Sequence, residues 1–170
     1  QGPGSIAEAI EAAARAKGMR LVGPCSVGLI APHARLNAGV SAHQPLPGDL
    51  ALVSQSGAVA AGLVEWGVSR SVGFSGVVSL GESLDVDFGD MLDYFATDHR
   101  TRAILLYVES IRDARKFMSA ARIAARSKPV VVVKSGRHVP ATGELGTHVA
   151  ALASADAVYD AAFRRAGLLR

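Results

Sequence analysis

Two stretches of this 170-residue chain bring together residue types able to handle an anion. The first is Ser54-Gln55-Ser56-Gly57-Ala58, a turn of small and hydroxyl-bearing residues that opens an apolar periodic segment. Unspent backbone N–H groups and the dipole at a helix start favour an anion there. The same pattern also suits an ordinary N-cap followed by a permissive glycine. The second is Gly143-Glu144-Leu145-Gly146-Thr147-His148-Val149-Ala150, in which His148 stands among neighbours too small or apolar to explain it. A third residue, Glu109, directly follows the apolar run Ala103–Val108. It reads either as a solvated carboxylate, as a helix cap, or as the partner of an imidazole. In that last role it fixes one ring nitrogen and leaves the other free to act. His148 is the candidate imidazole, and His138 is a rival in the same long loop. An exposed histidine with no role is the alternative for both. His33, His43 and His99 lie in linker or turn contexts and are assigned nothing.

Other chemistries are poorly served. The serine turn lacks the G-x-x-x-x-G-K-[ST] and G-x-G-x-x-G patterns of nucleotide and dinucleotide loops. It is not G-x-S-x-G, which weakens a hydrolase reading with Ser56 as nucleophile. No cluster of His, Cys and carboxylates has metal-ligand spacing. A flavin site at the same turn is disfavoured because aromatics make up only 5% of the chain.

These residues need a frame that brings them to one place. Helices are predicted over 6–17, 58–69, 88–96, 113–127 and 155–166. Val59, Leu63 and Trp66 share one face of the second. Phe88, Met91, Leu92 and Phe95 share one face of the third, whose start Asp85 or Asp87 can cap. Strands are predicted over 19–22, 50–53, 76–80, 103–108 and 130–134, with Leu168-Leu169 opening another. The strands are continuous apolar runs, so both faces are expected to be covered, as in a parallel sheet between helix layers. The expected fold is α/β, a doubly wound, flavodoxin-like parallel sheet with helices on both faces. In such sheets the loops after the strands share one edge, where ligands bind. That rule converges the serine turn, Glu109 and the loop carrying His148.

Gln1–Ser5 reads as a protease-site scar left by a tag and is set aside. Residues 6–30 read as the C-terminal remnant of an earlier domain, 31–48 as a linker rich in proline and glycine, and 49–170 as the main domain. A formal net charge of +3, with basic residues spread over helices, argues against nucleic acid as a partner. No apolar run approaches the roughly 20 residues a membrane span needs. The single cysteine, Cys25, excludes an internal disulfide framework and fits a reducing cytoplasm.

In this order, LALVSQSGAVA, SLGESLDVDFGDMLDYFATD, TRAILLYVESIRDARKFMSAAR, KPVVVVKSGRH and THVAALASADAVYDAAFRRAGLL resemble the ligase domain of NDP-forming acyl-CoA synthetases. These are relatives of the succinyl-CoA synthetase alpha subunit, and the resemblance covers residues 19–170. It implies that His148 is the phosphorylated histidine and Glu109 its hydrogen-bonding glutamate. It implies that Ser54, Gln55, Ser56, Gly57 and Ala58 hold phosphate, with no metal ligands in this chain. It makes residues 6–30 the end of a Rossmann-like CoA-binding domain. For the full-length protein it implies CoA and ATP or ADP with Mg, and partner domains of the CoA-binding and ATP-grasp types. For this stretch alone it implies phosphate at most and no turnover.

The chain departs from the family pattern in two places. Ala150 and Ser154 replace glycines of the histidine loop, and Gly23-Pro24-Cys25-Ser26 replaces Gly-Pro-Asn-Cys. These departures support a second reading, an acyl-CoA-sensing regulatory domain in a protein lysine acetyltransferase that also carries a GNAT domain. The acyl group, the nucleotide base and self-association into a homo-oligomer are left open.

Overall fold

A computed structural model describes residues 5–40, 43–135 and 156–170. Its element order is α1 (Ile6–Ala16), β1 (Gly28–Ala31), a 3-10 turn (Pro32–Ala34), β2 (Leu36–Gly39), β3 (Pro47–Ser54), α2 (Gly57–Ser69), β4 (Phe74–Ser79), α3 (Phe88–Thr97), β5 (Ala103–Val108), α4 (Ala114–Ser127), β6 (Val130–Lys134) and, last, α5 (Asp156–Ala166). The helices fall where periodicity placed them, and the starts of α2, α3 and α4 each carry a side chain that takes an orphan N–H. Ser56, Asp87 and Asp113 accept from the N–H of Val59, Asp90 and Lys116. Asp87 and Asp90 form a full capping box, so Asp87 rather than Asp85 caps α3.

The strands form a six-stranded sheet in the order β2-β1-β4-β3-β5-β6. β4, β3, β5 and β6 are parallel, and Leu169 bridges to Val131 in the same sense. Numbered from β3, that order is the 2-1-3-4-5 arrangement of flavodoxin-like sheets.

Four local expectations are corrected. Residues 31–48, read as a linker, contain β2 and begin β3, and β1 and β2 form a hairpin that extends the sheet. β1 is antiparallel to both β2 and β4, so the sheet is mixed rather than wholly parallel. The reversal is the 3-10 turn ending in Arg35 at φ 53°, too short a connection for parallel pairing. Residues 19–22 form no strand. They run along the flank of the sheet, where the Leu21 N–H donates to Asp85 and the Val86 N–H to the Leu21 carbonyl. Finally, Val131 and Val133 remain 37% and 49% exposed, so the apolar run of β6 is covered on one face only among the described residues.

Two apolar layers sandwich the sheet. On one face, Leu92 and Phe95 of α3, Phe117 and Ala121 of α4, and Phe163 of α5 pack on Val53, Leu106, Val108 and Val132. Phe117 sits edge-on to both Phe88 and Phe163, at centroid distances of 6.4 and 6.0 Å. On the other face, Ala60 and Val64 of α2 pack on Leu52, Phe74 and Val77. Deleting a buried aromatic such as Phe117 from this frame costs about 3–5 kcal/mol.

The segment ahead of β1 is held by charge. Arg20 pairs with Asp85 and Asp90, and Lys116 with Asp87 and Asp90. Ser5, grouped above with the scar, caps α1 by accepting from the Glu8 N–H. Among the described residues, no helix is long and apolar enough to cross a membrane.

Candidate functional site

A doubly wound sheet offers its ligand crevice where successive connections leave in opposite directions. From β3 the chain moves outward to β4 and then crosses to β5 on the other side, so the crevice lies beyond Ser54 and Val108. The serine turn and Glu109 stand at this point.

Gln55 joins the two. Its side-chain Oε1 accepts from the Glu109 N–H at 2.7 Å and the Ser110 N–H at 3.0 Å. Its own N–H donates to the Tyr107 carbonyl at 3.1 Å. The residue is only 9% exposed, so these bonds lie largely out of water. One residue thus ties the loop after β3 to the loop after β5. On the other flank, the Leu80 N–H donates to the Ser54 carbonyl at 2.8 Å.

Ser54 is fully buried and shapes the turn. Its hydroxyl donates to the Ser56 carbonyl at 2.7 Å and accepts from the Ser56 N–H at 3.1 Å. Ser54 and Gln55, expected to line an anion cradle, thus spend these side-chain groups on the turn itself and on the loop after β5. The outward part is Ser56, Gly57 and Ala58. Ser56 Oγ accepts from the Val59 N–H, which leaves its own proton to donate. The Ala60 N–H is taken by the Ser56 carbonyl. Gly57 and Ala58 present the first-turn N–H groups that helix geometry leaves unspent.

Gly57 has a packing reason of its own. A Cβ there would stand 2.5 Å from Val27 Cγ1. Val27 cannot easily yield, because its N–H donates to Ser79 Oγ and the neighbouring Ser26 hydroxyl donates to the Ser79 carbonyl. The glycine read above as a permissive start of a helix is a contact point between α2 and the segment entering β1.

Lys134 was missed. It ends β6 in register with Val108, one residue before Glu109, and is 7% exposed. Its ammonium donates to the Ser135 carbonyl at 2.6 Å and lies 4.7 Å from the centre of the Tyr159 ring. A lysine closing an apolar strand was the available signal, since lysine is seldom buried unless paired.

His148 and its rival His138 lie outside the described residues. Among the described residues, no group of three or more His, Cys, Asp or Glu could hold a metal ion.

Residues 47–170 match the succinyl-CoA ligase like flavodoxin domain. The chain is 43% identical over 157 residues to the alpha subunit of an ADP-forming acetate–CoA ligase I from Pyrococcus furiosus, covering 92% of this chain and 34% of that protein. It is 42% identical over 162 residues to an ADP-forming acetate–CoA ligase I from Archaeoglobus fulgidus, covering 95% of this chain and 24% of that one. Among solved structures, it resembles the dinucleotide forming acetyl-coenzyme A synthetase 1 of Ca. Korarchaeum cryptofilum in complex with phosphate and ADP. There the TM-score is 0.87 at 34% identity, covering 99% of this chain and 37% of that one. The chain thus spans about a third or less of the length of these relatives. With the crevice, its stitched loops and a match over most of its length, the chain belongs to the succinyl-CoA ligase like flavodoxin domain family.

Proposed function

We propose that this chain is the phosphohistidine-bearing domain of an ADP-forming acyl-CoA synthetase, relaying a phosphoryl group between an acyl phosphate and ADP. The observation that carries the reading is the Gln55 tie, which holds the helix start at Ser56 beside Glu109 at the topological switch point. The similarity to ADP-forming acetate–CoA ligases supports the reaction class.

In the forward step, a ring nitrogen of His148 attacks the phosphorus of the acyl phosphate. The bond from phosphorus to the acyl oxygen breaks, and the carboxylate leaves with its electron pair. In the second step, a terminal phosphate oxygen of ADP attacks the same phosphorus, the N–P bond breaks, and ATP and neutral histidine result. Glu109 accepts from the other ring nitrogen and stabilises the imidazolium character that develops. Ser56, Gly57 and Ala58 donate to the phosphoryl oxygens with fixed dipoles that need no reorganisation. CoA and the ATP or ADP with its Mg belong to partner domains of the CoA-binding and ATP-grasp types in the full-length protein.

The test uses that full-length protein with ATP labelled in its γ-phosphate. Label should enter an acid-labile, base-stable bond and vanish in His148→Asn, whose amide nitrogen is not nucleophilic. Label that persists in His148→Asn overturns the relay.

The second reading, a regulatory acyl-CoA sensor beside a GNAT domain, rests on Ala150 and Ser154 in place of glycines. It predicts no label in the wild type, nor in Ala150→Gly with Ser154→Gly.

A further inference from the structure

Lys134 and Tyr159 stand at the two ends of the segment that carries His148. Lys134 closes β6, and Tyr159 lies in the first turn of α5 (Asp156–Ala166). We propose that they form a positioning pair, in which the Lys134 ammonium on the Tyr159 ring fixes the separation of those two ends and so sets the reach of His148 toward Glu109. This rests on the phosphohistidine reading and names two residues that serve it without touching the phosphoryl group.

The departing end is tied to the sheet beside Glu109. Lys134 pairs in register with Val108, and the Ser135 N–H donates to the Val108 carbonyl at 3.0 Å. Glu109 is the next residue along β5, so the segment leaves the sheet level with it. The Lys134 ammonium lies 4.7 Å from the centre of the Tyr159 ring, inside the roughly 6 Å over which a ring face attracts a cation. It also donates to the Ser135 carbonyl at 2.6 Å.

The returning end depends on the same contact. The far end of α5 is well held: Phe163 is fully buried, the Leu169 N–H donates to the Val130 carbonyl, and the Val132 N–H donates to the Leu169 carbonyl. At its start, Ala157 is exposed and Val158 is 66% exposed. Among the side chains of residues 157–159, Tyr159 alone packs on the core. Its ring lies 5.8 Å from that of Phe163, which lies 6.0 Å from that of Phe117. A line of rings thus runs from α4 through α5 to the ammonium on β6.

The choice of lysine argues for placement rather than mere filling. Lys134 is only 7% exposed, and burying an ammonium costs desolvation that an apolar side chain of similar length would avoid. A methionine could lie against the ring in several ways. The ammonium is confined to one, because it must meet a carbonyl oxygen and a ring face together.

The experiment has two arms on the full-length protein. The first measures histidine phosphorylation from ATP labelled in its γ-phosphate. Lys134→Met and Tyr159→Leu should each slow labelling at saturating ATP at least tenfold, because misplaced reacting groups lose rate. The KM for ATP should stay within about threefold, since the nucleotide belongs to another domain. Lys134→Arg, whose guanidinium also stacks on a ring, and Tyr159→Phe, which keeps the ring, should each retain at least about a third of the rate. The double variant Lys134→Met with Tyr159→Leu should be no more than about threefold slower than either single one, as for two partners in one interaction. The second arm needs no turnover and follows amide hydrogen exchange at residues 160–163. Lys134→Met should speed it at least about fivefold and leave β5 unchanged. Unchanged exchange, a wild-type rate of labelling in Lys134→Met, a multiplied loss in the double variant, or a loss confined to KM overturns the pair. No label in the wild type, with exchange raised in Lys134→Met, overturns the phosphohistidine reading and supports the hold of Lys134 on α5.

Discussion

Removing the acceptor at Gln55 should loosen the whole crevice. In Gln55→Met the side chain keeps its length and approximate volume but loses Oε1. The N–H groups of Glu109 and Ser110, bonded at 2.7 and 3.0 Å, then have no acceptor there. A buried backbone donor left unsatisfied costs roughly 1–3 kcal/mol. Two such donors, with some relief from entering water, give a loss of about 2–4 kcal/mol. For a domain of this size that corresponds to a fall in Tm of roughly 5–15 °C. Gln55→Glu retains an acceptor, now charged, and should remain within about 1 kcal/mol of wild type. Urea unfolding of the 170-residue chain measures all three proteins. In the full-length protein, Gln55→Met should also slow histidine phosphorylation by more than tenfold, because small misplacements of reacting groups cost up to about 100-fold. A Gln55→Met protein within about 0.5 kcal/mol of wild type would refute the claim that this amide ties the two loops.

Other outcomes test separate parts of the account. Gly57→Ala should destabilise by about 1–3 kcal/mol through its clash with Val27 Cγ1, and Val27→Ala in the same chain should recover most of that by urea titration. Burial alone would raise the carboxyl of Asp90, but the Lys116 ammonium and the Asp87 N–H outweigh it and hold it at about 2, against 3.8 unperturbed. A depressed carboxylate contributes stability that is complete above its unfolded value and is lost as pH falls through the folded one. That difference is worth roughly 2.5 kcal/mol unscreened, and solvent around the pair reduces it to about 1 kcal/mol. Stability should therefore fall by that amount between about pH 4 and pH 2, and Asp90→Asn should flatten this part of the profile. Glu109→Gln in the full-length protein should lower phosphorylation by a factor corresponding to about 1–3 kcal/mol without abolishing it, since a neutral amide cannot stabilise an imidazolium. The 170-residue chain alone should form no acyl-CoA from acid, ATP and CoA, and measurable turnover would contradict the assignment of nucleotide and CoA binding to other domains.

Much of the frame was legible in the sequence because its signals are local. Helix faces such as Phe88, Met91, Leu92 and Phe95 repeat at helical spacing, and the caps precede them within one turn. The apolar runs of β3 to β6 declare themselves by composition, and the parallel order of such a sheet puts their trailing loops on one edge. The β1–β2 hairpin was illegible for the opposite reason. Gly28-Leu29-Ile30-Ala31 is four residues long, and its neighbours Pro32 and Gly39 look like interruptions. Nothing local says that β1 lies beside β4, a strand that begins more than forty residues later. The covered faces of β6 were overestimated for a related reason. A valine run reports apolar character at every position but does not report which alternate positions a helix covers.

The site divides along the same line. The helix start at Ser56 is a local motif, and its small residues announce it. The roles inside the motif are not local. Gln55 sits between two serines and reads as one more polar loop residue until β5 is placed beside β3. Only then does its amide face the N–H groups of Glu109 and Ser110, 54 and 55 residues away in sequence. Gly57 reads as conformational freedom, yet what demands it is Val27, held at the other flank of α2 by Ser79. In both cases the sequence shows which residue types are present, while the fold decides what each one touches. The crevice therefore depends on two kinds of residue. Those proposed to face a phosphoryl group, Ser56 to Ala58, are recognisable by type. Those that aim them, Ser54, Gln55 and Val27, are recognisable only by contact, and substitutions there should impair the chemistry without removing any group that takes part in it.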